Sequence, residues 1–254
     1  MINKYPEFID PYDPASAPLF VRAEHLARYL YAADYLRKHH LRTVLDCACG
    51  DGYGCRVLAA RAETVTGVER DAARLAEAMA TDAARHVNNV MYHIADVNLG
   101  LPMLRDGAVR CVTCFETLEH VRDDERLLRE FHRVLVRGGR LLLSVPKSGY
   151  EPIDAAGKPE NPHHLRLYER EGLAKLLDFC SFAVEKELGQ PYANALHRRV
   201  ENYVRDTGTP REELATWFNE TPQSLEFIAR AWAWLEEELP EKSNTIFMVC
   251  RKKG

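Results

Sequence analysis

VLDCACGDGYG, residues 44–54, decides the fold. Its first half is a short apolar run and its second half a glycine-rich turn, with Asp46 placed where the run gives way. Glycines at 50, 52 and 54 let a backbone approach a bound ligand and adopt turn conformations closed to other residues. A nicotinamide-binding turn reads G-x-G-x-x-G/A and seats a pyrophosphate on a helix N-terminus. Counted from Gly50 and Gly52, the third small position falls on Cys55, so that fingerprint fails. Asp46 would also sit badly against a pyrophosphate, and suits a cationic ligand.

Downstream the pattern alternates. TVTGVE (64–69) is a second strand, DAARLAEAMATDAARHV (71–87) a helix capped by Asp71, and VMYHIAD (90–96) a third strand. RCVTCF (110–115) is a fourth strand, DDERLLREFHRVLVRGG (123–139) a helix with a glycine stop, and RLLLSVP (140–146) a fifth strand. A long loop rich in Pro and Gly leads to a helix over 169–180, a strand over 182–189 and a final strand over 244–253. Upstream, prolines at 6, 11, 14 and 18 exclude a long helix from residues 1–20, and a helix follows to His39 with Leu26, Leu30, Ala33 and Leu36 on one face. Alternation of this kind predicts a doubly wound α/β fold, a mainly parallel seven-stranded sheet with helices on both faces. The expected organisation is a single domain over 1–254: an N-terminal arm and helix (1–40), a core (41–189), a helical insertion acting as a cap over the site (190–240) and the last strand (241–254).

Composition narrows the classes. The net charge of −4 gives no global case for nucleic acid or an anionic membrane. No apolar run reaches the roughly 20 residues of a bilayer span, and no signal-peptide pattern opens the chain, so a cytoplasmic protein is expected. The seven cysteines are odd in number and scattered. Cys111 and Cys114 form a CxxC inside a strand-like run, with no second pair to complete a zinc site, and buried free thiols are expected.

In open parallel sheets ligands bind beyond the carboxyl ends of the strands. The polar residues collect there: Asp46, Glu69, Asp96, then Glu116 to His120, then Pro146 onward. On these residues the chain resembles the class I, Rossmann-like S-adenosylmethionine-dependent methyltransferases, whose first motif is D-x-G-x-G-x-G; here position 48 is Ala. The resemblance runs from about His25 to Pro146, and HLARYLYAADYL, ACGDGYG and FETLEHV resemble a bacterial subgroup linked to glycan and sugar-metabolite methylation. It implies S-adenosylmethionine as cofactor and an antiparallel last strand. It places Asp46 near the cationic methionine moiety, Gly50 and Gly52 along the cofactor, Glu69 on the ribose hydroxyls, Asp96 on the adenine amine and Arg28 on the cofactor carboxylate. A guanidinium can hold a carboxylate bidentately.

At the acceptor face, Glu116, Glu119 and His120 are spaced to share one helical turn. A hydroxyl acceptor must lose its proton to a base or to a metal that lowers its pKa. His120 and His164 are the candidate catalytic residues, with Glu116, His163 and Tyr168 as substrate contacts. Ubiquinone-pathway O-methyltransferases and small-RNA 3′-end methyltransferases resemble this segment too, and imply a divalent metal on Glu116, Glu119, His120 and His164. Many methyltransferases carry such a string without metal, and metal-free transfer with a histidine as base is the leading expectation, the metal the alternative. The expected function is O-methylation of a hydroxylated small molecule such as a sugar or glycan-linked metabolite. N-methylation of an amine and non-catalytic cofactor binding are the competing readings.

Overall fold

The computed structural model describes residues 8–190, 202–209, 221–231, 233–235 and 243–254. Seven strands form one sheet: β1 (Thr43–Cys47), β2 (Thr64–Glu69), β3 (Val90–Ile94), β4 (Val109–Phe115), β5 (Leu135–Pro146), β6 (Phe182–Gln190) and β7 (Thr245–Lys252). Their order is β3-β2-β1-β4-β5-β7-β6. The first five strands pair in parallel, and β7 runs antiparallel to both β5 and β6. The expected doubly wound sheet with an antiparallel last strand is the fold observed.

The helices are α1 (Leu19–His39), α2 (Tyr53–Ala59), α3 (Ala72–Ala84), α4 (Asp124–Val134), α5 (Arg170–Phe179) and α6 (Pro222–Ala231). Asp71 caps α3 through the amides of Ala73 and Arg74. Each face of the sheet carries its own core. Leu45, Val112, Leu128, Phe131 and Phe182 pack on one side, and Val44, Leu36, Leu58, Val65 and Phe247 on the other. Strands covered on both faces have no solvated side to alternate toward, which is why β1 and β4 read as largely apolar runs without alternation. Cys111 belongs to one core and Cys114 to the other, because residues three apart on a strand point to opposite faces. The CxxC therefore cannot grip one ion, and all seven cysteines are buried free thiols.

α4 stops at Val134, earlier than the expected 139. Arg133 fixes its end by donating to the carbonyls of Leu101 and Leu104 and to Asp106, and Leu135 already pairs with Val109. The glycine at 138, with φ 70°, lies inside β5 where its pairing with β4 shifts register, instead of ending the helix.

α6 lies in the expected insertion and packs Leu225, Ile228 and Ala229 on Leu19, Ala23 and Leu26 of α1. This part of the insertion braces the helix before the sheet; much of the expected cap, with Trp217 and Trp232, lies outside the described residues. No helix among the described residues is long and apolar enough to cross a membrane.

Candidate active site

Strand order reverses between β1 and β4, and beyond the carboxyl ends of these strands opens a cavity of about 1140 Å³. Its walls come from the segment before α1, the turn after β1, the ends of β2, β3 and β4, and the loop after β5. Gly50, Glu69, Asp96 and Arg28 line it, as do Glu116, Glu119, His120, His163 and His164. Nearly every residue singled out from the sequence thus faces one space, which has two chemically distinct ends.

At the glycine end, Glu69 is 7% exposed and closes β2. One carboxylate oxygen accepts from the amide of Gly50 at 3.1 Å, and the other from the amides of Arg70 and Asp71 at 2.8 and 3.0 Å. The acid therefore ties the turn after β1 to the end of β2. Asp96 caps the 3₁₀ turn Val97–Leu99 by accepting from the Asn98 backbone and side chain, which hold its carboxyl below the ordinary value. Ala48, where the family motif has glycine, sits at φ 57°, so an L side chain bears a left-handed conformation on the cavity wall.

Two expected cofactor residues lie elsewhere. Asp46 does not line the cavity: it is fully buried beneath it and accepts from Thr113 at 2.7 Å, Tyr29 at 3.1 Å and the Cys55 thiol at 3.4 Å. Burial raises its pKa to about 6 against these three donors. Gly52 begins α2 at φ 76°, and a Cβ there would stand 2.3 Å from the Tyr92 hydroxyl. It faces β3 and α3, away from the cavity, and serves to bring those elements close.

Arg28, 3% exposed on α1, donates to Gln190 at 2.9 Å and Thr245 at 3.4 Å, and its Nη1 stands 3.6 Å from Glu116 with no hydrogen-bond partner. Gln190 and Thr245 arrive from β6 and β7, so the last two strands aim this guanidinium. A buried guanidinium on the cavity wall whose Nη1 has no hydrogen-bond partner among the described residues fits a carboxylate ligand.

At the other end, Glu116 follows β4 at φ 48° and is locked to Ser144, whose carbonyl takes its amide at 3.0 Å and whose hydroxyl donates to its carboxylate at 2.7 Å. This conformation removes Glu116 from the helical turn, which is only the 3₁₀ segment Leu118–His120. The three residues that gather are Glu119, His120 and His164, one ligand atom of each lying within 4.8 Å of the others. Glu119 is fully buried, neither carboxylate oxygen has a hydrogen-bond partner among the described residues, and burial, then Glu116, push its pKa well up.

His120 Nδ1 donates to the carbonyl of His163 at 2.8 Å. That acceptor leaves the lone pair on Nε2, which lies 3.7 Å from Glu119. Burial lowers the pKa of this ring, so it is neutral at pH 7. His164 Nε2 stands 4.0 Å from the same Glu119 oxygen, and the two rings meet edge to face at 4.9 Å.

Tyr168, expected as a substrate contact, does not line the cavity. It is buried, donates to Asp124 at 2.8 Å, and pins the long loop to α4. Two residues went unforeseen. Thr113 lies in register beside Asp46, and the lone hydroxyl in RCVTCF was its signal. Glu151, bonded to His164 at 2.5 Å, has no spacing or motif to mark it.

Residues 45–143 match the family model described as "Methyltransferase domain". Over 149 residues the chain is 34% identical to a Mycolicibacterium smegmatis protein described as "Probable S-adenosylmethionine-dependent methyltransferase", covering 58% of this chain and 54% of that one. A ubiquinone biosynthesis O-methyltransferase of Pseudomonas paraeruginosa is 35% identical over 103 residues, 41% of this chain and 44% of the relative. The chain thus spans about half the length of the curated relatives it matches. The fold is shared with the 4+2 cyclase SpnF (TM-score 0.62, 19% identity, 98% of this chain and 86% of that one). It is shared too with an S-adenosylmethionine-dependent methyltransferase from Mesorhizobium loti (TM-score 0.56, 18% identity, 90% of this chain and 100% of that one). One of these folds is named for cyclisation and the other for methylation, so function must be argued from the site.

Proposed function

We propose that the acceptor of this enzyme, a chain that carries a class I S-adenosylmethionine-dependent methyltransferase domain, is a hydroxylated small molecule such as a sugar or glycan-linked metabolite, methylated on oxygen. One observation carries the reading: His120, on the cavity wall, has its Nδ1 on the His163 carbonyl, a contact that leaves the lone pair of the neutral ring on Nε2. S-adenosylmethionine, when bound, supplies a sulfonium-activated methyl group. Arg28 holds its carboxylate, Glu69 the ribose, Asp96 the adenine amine, and buried Asp46 supplies negative potential beneath the cation. These four assignments follow the family resemblance; the unpartnered Arg28 Nη1 and the cavity positions of Glu69 and Asp96 support them.

His120 takes the acceptor proton on Nε2 as the oxygen bonds to the methyl carbon and the carbon–sulfur bond breaks. His163 contributes its carbonyl, which keeps the His120 proton on Nδ1. His164 and Glu116 border the acceptor. Seven buried free thiols fit a reducing compartment such as the cytoplasm, and the named relatives are bacterial.

The unanswered Glu119 carboxylate favours a second reading, with a divalent ion on Glu119, His120 and His164. The donor set suits one: a carboxylate oxygen and two imidazole nitrogens, with both Nδ1 atoms already engaged. Such an ion would lower the pKa of a bound hydroxyl, but it must displace the Asn161 amide, 3.0 Å from His164 Nε2.

The test is a mass-shift screen of neutral and amino sugars with methyl-labelled cofactor, repeated after exhaustive chelation. O-methylation that survives chelation is expected. Label on nitrogen alone, or none in a protein that binds the cofactor, would refute the reading. Loss on chelation with restoration by added metal would establish the ion.

A further inference from the structure

Glu151 lies in the loop after β5 and is the hub of a hydrogen-bond network that reaches both candidate catalytic rings. Its Oε2 accepts from His164 Nδ1 at 2.5 Å, its Oε1 accepts from the amide of Asn161 at 2.5 Å, and only 11% of its side chain is exposed. Asn161 Oδ1 in turn accepts from the amide of His163 at 3.0 Å, which fixes the orientation of the side-chain amide. Its Nδ2 is thereby left facing His164 Nε2 at 3.0 Å. The carbonyl of His163, two residues on from Asn161, takes the Nδ1 proton of His120.

We propose that Glu151 is a positioning residue that sets the tautomer and ring direction of His164 directly, and of His120 through Asn161 and His163. A neutral imidazole carries one proton, and the partner of one nitrogen decides which nitrogen bears it. Two independent contacts agree for His164: an acceptor, Glu151, on Nδ1 and a donor, the Asn161 amide, on Nε2. His120 has the same arrangement on its Nδ1 side. Both Nε2 atoms consequently lie on the Glu119 side of the cavity, at 3.7 and 4.0 Å from one carboxylate oxygen. Without Glu151, the Asn161 amide loses its acceptor in the loop after β5, His164 loses the acceptor that selects its tautomer, and the His163 carbonyl is held less firmly against His120. The inference rests on the reading of this cavity as a methyl-transfer site, and names the side chain that organises its proton-handling end.

The experiment is imidazole ¹⁵N NMR on histidine-labelled protein at pH 9, where neutral rings report their tautomer without acceptor or metal. The wild type is expected to show both His120 and His164 protonated on Nδ1. Glu151→Ala should move His164 toward the Nε2-protonated form and loosen the preference of His120. Glu151→Gln offers one acceptor oxygen to the two donors, His164 Nδ1 and the Asn161 amide, and should give a tautomer population between wild type and Glu151→Ala, a graded response that mere loop damage would not give. Wild-type rings protonated on Nε2, or an Ala variant whose spectrum matches the wild type, would overturn the proposal. S-adenosylhomocysteine affinity, read on the same samples, should be equal in all three proteins. A wild type that binds none would sink the methyl-transfer reading, while the spectra would still decide the role of Glu151.

Discussion

The two ends of the cavity handle buried charge in opposite ways. At the glycine end Glu69 is answered by three main-chain amides and Asp96 by its own neighbour Asn98. At the other end neither oxygen of Glu119 has a hydrogen-bond partner among the described residues. A buried polar group without a partner costs about 1–3 kcal/mol, and more when charged. The glycine end is therefore complete before ligand arrives, whereas the acceptor end is paid for by what binds there. The first is built from the turns that follow β1, β2 and β3, and the second from the end of β4 and the loop after β5.

The largest expected effect that separates the ends is on turnover. His120→Ala should slow methyl transfer by about 100-fold or more, the usual range for losing a general base. In the wild type the rate should rise with pH through a value below 6.5 and be level at neutral pH, because burial holds the ring neutral. A pH–rate profile still climbing above pH 8 would contradict this assignment.

Below the cavity, Asp46 should dominate a stability effect. Its folded pKa is raised by burial from 3.8 to about 6, so its stabilising contribution is full below pH 4 and is lost as pH rises through 6. The shift corresponds to about 3 kcal/mol. Urea midpoints should fall between pH 4 and 7 more steeply in the wild type than in Asp46→Asn, and parallel curves would show that Asp46 is ionised throughout.

Arg28 offers a sharper division. Arg28→Lys should weaken S-adenosylmethionine by about tenfold, near the 1.4 kcal/mol that one charge-assisted hydrogen bond commands. Methylthioadenosine, which lacks the amino-acid moiety, should be unaffected in the same titrations. Equal losses for both ligands would place Arg28 away from the carboxylate. The smallest effect is at Ala48, where φ is 57°. Ala48→Gly should stabilise the chain by about 1 kcal/mol through relief of the left-handed backbone, measured by thermal unfolding.

The sheet was readable from sequence because each buried strand is an apolar run bounded by polar or glycine residues. The end of α4 was not, since Arg133 and the pairing of Leu135 with Val109 are long-range contacts that override a helical pattern. Glu69 and Asp96 were readable because strand ends point at the cavity. Asp46 was misplaced because period alone cannot tell a residue at the cavity rim from one a layer beneath, where Thr113 and Tyr29 hold it. Glu116 was grouped with Glu119 by helical spacing, and its left-handed backbone broke that spacing. Glu151 left no trace in sequence, for its partners come from a loop whose path no periodicity describes.

The central claim is that one cavity separates cofactor recognition from acceptor chemistry. Calorimetric titration of S-adenosylhomocysteine into the wild type, Glu69→Ala and His120→Ala tests it directly. The account predicts one site in the wild type, the same affinity in the His120 variant, and at least about tenfold weaker binding in the Glu69 variant. No binding by the wild type, or equal losses in the two variants, would contradict it.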